Sequence, residues 1–150
     1  MGYYSFTAGE VLSASTLNTV TGVSGWTAYT PTPTNVTTGN GTYDFAYYQI
    51  GKTVVVRGRF TLGTTSSVSG AATFSLPVTA SGTVGYGQAI LRAGGVDYGA
   101  VAITQTTTTV LLSTFNVAAT YPTRTNTSAT VPGTWASGDI MHFTLVYQAA

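Results

Sequence analysis

The chain contains no cysteine, which excludes disulfide scaffolds and cysteine-based zinc sites. Charge is scarce. Five basic and four acidic side chains in 150 residues make 6% of the chain, against an average of about 25%. The formal net charge of +1 provides no strong field to hold a nucleic-acid backbone or an anionic membrane. No apolar run approaches the length of a bilayer span. Met1-Gly2-Tyr3-Tyr4-Ser5-Phe6 lacks the basic and apolar regions of a secretory signal, and Phe6 stands where a myristoylation pattern needs Ser or Thr. Low hydrophobicity combined with high net charge, the signature of disorder, is missing as well. These absences predict one soluble domain made in a cytoplasm, with no membrane insertion and no nucleic-acid partner, and long enough to bury a core.

What is present is β-branched. Thirty-one Thr, 16 Val and 4 Ile supply about a third of the chain, while 18 Gly and 5 Pro punctuate it. The composition predicts an all-β, antiparallel fold rich in turns. Such a chain with open strand edges and little charge tends to aggregate, so its edges are expected to be covered by assembly.

The helix signal lies at the start. Thr7-Ala8-Gly9-Glu10 has capping-box spacing, with Phe6 and Val11 placed as a hydrophobic staple. Val11, Leu12, Leu17 and Val20 form a narrow apolar stripe ending near Gly22. So short a helix is marginal alone and has to dock. Residues 1–25 therefore read as an anchoring segment, with Phe6, Val11, Leu12 and Leu17 as its partner-binding residues, and 26–150 as a β domain.

Strands are expected at Thr27–Thr30, Thr42–Ile50, Thr53–Leu62, Ala72–Leu76, Tyr86–Arg92, Val96–Thr104, Thr109–Asn116 and Ile140–Gln148. About eight strands at this spacing suggest a jelly-roll-like β-sandwich. Two hairpins have a checkable register. A two-residue turn at Gly51-Lys52 puts Tyr43, Phe45, Tyr47, Val54, Val56, Phe60 and Leu62 on one face. The other face then carries Asp44, Tyr48, Arg57 and Arg59, with Asp44 opposite Arg59. A turn at Gly94-Gly95 sets Arg92 opposite Asp97 but leaves neither face polar: Ile90, Val101 and Ile103 lie on one, Ala89, Leu91 and Tyr98 on the other. Such a hairpin needs cover on both sides.

Catalytic chemistry would have to come from Glu10, Asp44, Asp97, Asp139 and His142, and each has a structural use. Glu10 closes the capping box, Asp44 and Asp97 have arginine partners, and Asp139 sits in a Ser-Gly-Asp turn that favours local hydrogen bonds. His142 alternates within a strand. No carboxylate pair remains for glycosidic acid–base work, and no Gly-x-Ser-x-Gly elbow surrounds a serine. Asp139 and His142 would point to opposite sides of a strand, so they form no metal site. Ile50-Gly51-Lys52-Thr53 lacks both the first glycine and the following helix of a phosphate-binding loop. The expectation is no enzyme, no cofactor and no metal. Tyr48, Arg57 and Arg59 share the polar hairpin face and are the candidate ligand-binding residues, suited to a saccharide or an anion.

Phe6-Thr7-Ala8-Gly9-Glu10-Val11-Leu12-Ser13-Ala14-Ser15-Thr16-Leu17-Asn18 resembles the N-terminal segment of small tailed-bacteriophage virion proteins. Trp26-Thr27-Ala28-Tyr29-Thr30-Pro31 resembles the opening of the β domain that follows it there. The likeness continues through Tyr48–Gly58, Phe74-Ser75-Leu76-Pro77 and the ending from Ser137 to Tyr147, and so covers most of the chain. It implies a minor tail, tail-fibre knob or head-decoration protein that forms a homotrimer of β-sandwich knobs and contacts other virion proteins. A host-surface glycan is the alternative partner. The implied location is the virion, and no catalytic residue carries over.

Overall fold

A computed structural model describes residues 25–118 and 120–150, together with Gly9, Val11 and Ser13. Ten strands are present: β1 Thr27–Ala28, β2 Pro33–Thr37, β3 Thr42–Ile50, β4 Thr53–Thr61, β5 Ser67–Ser75, β6 Tyr86–Ala93, β7 Val96–Thr106, β8 Thr109–Asn116, β9 Thr123–Asn126 and β10 Ile140–Gln148. All pair antiparallel, in the order β1-β3-β4-β10-β6-β7-β8-β5-β2, with β9 added on β8. The all-β antiparallel expectation holds. The finer jelly-roll expectation is not confirmed: nine strands lie on one continuous hydrogen-bonded path, with β9 beside it on β8, and the sheet curls into a half-barrel. The two extra strands, β2 and β9, carry little apolar alternation. β2 opens on Pro33 at a sheet edge, where a missing N–H is tolerated. The expected N-terminal helix falls largely outside the described residues; Gly9 lies in a turn at φ +88°.

Both hairpin registers are as the turns predict, with Asp44 opposite Arg59 and Arg92 opposite Asp97. Gly51 takes a left-handed φ of +57°, and Gly94 and Gly95 take +60° and +80°, which two-residue hairpin turns require. β10, last of the ten in chain order, is inserted between β4 and β6 and pairs with both along nearly its whole length.

The curl brings opposite ends of the strand order together. Phe74 of β5 lies 5.3 Å from Phe45 of β3, ring centre to ring centre, and Phe143 of β10 lies 5.6 Å from Phe45. Phe60, Leu91, Leu112, Met141 and Leu145 are fully buried beside them. At Gly58 a Cβ would sit 2.5 Å from the Phe143 ring, so glycine there admits the aromatic cluster. Just past β1, which covers this edge of β3, Tyr29 and Tyr47 pack edge to face at 5.9 Å. The edge strand β2 carries a bulge at Asn35, whose φ is +59° and whose amide donates to the Ala71 carbonyl at 3.0 Å. A bulged edge resists further strand pairing.

Candidate functional site

The outer, convex face of the sheet carries the polar chemistry. At the β1–β3–β4 end, Trp26 stands edge-on against Tyr48, with ring centres 4.8 Å apart, and the Arg57 guanidinium lies 5.2 Å from the Trp26 ring centre. Arg57 also forms an ion pair with Asp44 at 3.5 Å. The structure thus brings Tyr48 and Arg57 together through Trp26, which sequence reasoning did not select. The strand pairing places it there: Thr27 opposes Tyr47, so the preceding residue meets Tyr48 on the same face.

The expected Asp44–Arg59 pair is corrected to Asp44–Arg57. Arg59 is directly opposite in register, but a diagonal neighbour two residues away is within reach of a long side chain, and Trp26 holds Arg57 on that side. Arg59 instead stands beside His142, its register partner on β10. Both are exposed.

Arg92, Asp97 and Asp139 serve structure. Arg92 grips Asp97 through two hydrogen bonds, Nε to Oδ1 at 2.7 Å and Nη2 to Oδ2 at 2.9 Å. This hydrogen bonding raises the arginine pKa and lowers that of the carboxylate. Asp139 is buried, and its Oδ2 accepts from the backbone N–H groups of Ala136 at 2.7 Å and Gly94 at 3.0 Å. One carboxylate thereby ties the β6–β7 turn to the loop before β10. Tyr147 donates its hydroxyl to the Val78 carbonyl at 2.8 Å, and burial pushes its pKa up to about 12. Burial raises Tyr29 further, and its hydroxyl has no hydrogen-bond partner among the described residues.

Across β10, β6, β7 and β8 the outer face changes character. Val146 opposes Tyr86, and Tyr86 opposes Ile103. Tyr86 is 71% exposed, Ile90 52%, Val146 46% and Phe115 44%. Val55, Val101 and Ile103 are half-buried among them. Gly99 lies in the middle of this band, and above it opens a recess of about 460 Å³ walled by Ile90, Phe115 and His142. Of the expected anchoring residues, Val11 is 87% exposed, while Phe6, Leu12 and Leu17 lie outside the described residues.

No family model matches this chain, and no curated protein or solved structure does so either.

Proposed function

We propose that this protein is a non-enzymatic structural component of a bacteriophage virion, a β knob that works by assembling with copies of itself and with other virion proteins. The observation carrying the assembly is the apolar outer band around Tyr86, Val146, Ile90 and Phe115, which a solitary soluble domain has no use for. The described acidic groups support a structural role: Asp44 and Asp97 pair with arginines, and Asp139 caps two backbone N–H groups. The virion assignment rests on the resemblance in the sequence, with Phe6, Val11, Leu12 and Leu17 as the anchor. Light scattering should return about three times the 15.5 kDa monomer mass. Immunogold labelling should place the protein on intact particles, and particles without label would overturn the assignment.

A second reading, adhesion to a host-surface glycan, is favoured by the exposed Trp26 beside Tyr48 and Arg57, since sugars stack on aromatic rings flanked by polar donors. It predicts that Trp26→Ala abolishes binding to host-envelope glycans. No binding by the wild-type chain at high concentration would remove it.

A further inference from the structure

We propose that the outer face of β10, β6, β7 and β8 is the contact between copies of this chain, with Tyr86 of one copy seated in the Gly99 recess of the next. The proposal rests on the oligomeric reading above and names its surface and residues.

Gly99 is a glycine that its described surroundings do not require. In the same sheet, a Cβ at Gly58 would strike Phe143, and one at Gly87 would lie 1.8 Å from the Thr144 carbonyl oxygen. Those glycines are explained by crowding within the chain. A Cβ at Gly99 would meet nothing within 4 Å, and Gly99 has no left-handed φ. Glycine weakens a strand interior and commonly marks the close approach of something else. Here no described residue approaches, and the missing side chain leaves room for a group from outside them.

The surroundings describe that group. The recess has a backbone floor, an aromatic wall from Phe115, an aliphatic wall from Ile90, and Gln88, Thr144 and His142 at its rim. It suits a flat apolar body with a polar tip. Tyr86, on the same face, is a phenol 71% exposed. A second copy therefore supplies both the knob and the hole, as a closed assembly of identical subunits requires. Four strands spaced roughly 4.8 Å apart, each with three outward residues, give a flat footprint on the order of 400 Å² before side-chain relief and flanking loops are added. A standard interface uses about 800 Å² of accessible surface per partner.

The chain has no cysteine, so introduced thiols are unambiguous. Ile90 is the register partner of Gly99, four residues along β6 from Tyr86, which separates the two positions by about 13 Å within one copy. A disulfide spans roughly 7 Å at most between Cα atoms. Oxidation of the Y86C/G99C double variant should therefore link separate chains, seen as multimers on a non-reducing gel, with much less linkage in either single variant. Gly99→Leu should fill the recess, keep the wild-type circular dichroism spectrum and weaken self-association at least about tenfold by concentration-dependent light scattering. An oligomer of full mass in which the double variant stays unlinked, or in which Gly99→Leu associates normally, overturns this contact and leaves the oligomeric reading standing. A 15.5 kDa species at every concentration overturns both. Association that emerges only after removal of residues 1–24 would identify that segment as the occupant of the face and also overturn the proposal.

Discussion

The β3–β4 and β6–β7 hairpins each close on a two-residue turn led by a left-handed glycine, and each carries an aspartate–arginine pair on its outer face. On the inner face both supply the same core, through Phe45, Val56 and Phe60 in one and Ala89, Leu91 and Ala102 in the other. Outside they diverge. Beside Asp44 the first presents Arg57 and Arg59 to water, whereas beside Arg92 and Asp97 the second presents Tyr86, Ile90, Val101 and Ile103. Turn chemistry and inner packing are therefore indifferent to what covers the outer face. The two outer faces differ in chemistry, and on the proposed assembly the second would meet a partner copy where the first meets solvent.

The comparison breaks first if the inner faces are unequal. Phe60→Ala should cost about 3–5 kcal/mol and Leu91→Ala about 2–5 kcal/mol in urea denaturation, since both side chains are fully buried. A loss below 1 kcal/mol at either position would show that the two hairpins do not share one core. Next comes the second hairpin's turn. Asp139→Ala removes the acceptor for Gly94 and Ala136 and should cost about 1.5–3 kcal/mol, with faster amide exchange at Gly94. Among the described residues no carboxylate accepts a hydrogen bond from the Gly51-Lys52 turn.

Alkaline pH tests the seam where Tyr147 packs along Val54 of the first hairpin. The folded state raises the phenol to about 12, above its ordinary value of 10.0. Its contribution is complete below pH 10 and is lost as pH rises through 12, because the unfolded chain releases the proton first. Thermal melts should fall over that window, and Tyr147→Phe should flatten the fall. The smallest effect belongs to the exposed pair on the first hairpin. Asp44→Asn should change stability by less than about 0.5 kcal/mol, and by less still at high salt.

Alternation made the first hairpin and β10 legible from the sequence, and the Gly94-Gly95 turn gave the register of the second hairpin. Two elements escaped it for physical reasons. Thr123-Arg124-Thr125-Asn126 has no buried apolar residue to mark a strand, and Pro33 reads as a turn until an edge position is known. The order of strands was illegible because it depends on β10 entering between hairpins far away in the chain. At the candidate site, Tyr48, Arg57 and Arg59 were found on the expected face, but spacing could not reveal that Trp26 would capture Arg57. Gly99 was hidden as well. A glycine that avoids a clash and one that leaves a hole look identical until the neighbours are placed.

The position of β10 also bears on synthesis. A ribosome delivers β3–β4 and then β6–β7–β8 long before the strand that zips them together. Until then the β4 and β6 edges wait unpaired, each beside an apolar surface. Nascent chains are thus most vulnerable to sticking to one another in the interval before Ile140–Gln148 emerges, and crowding during production should lower yield more than any instability of the finished fold.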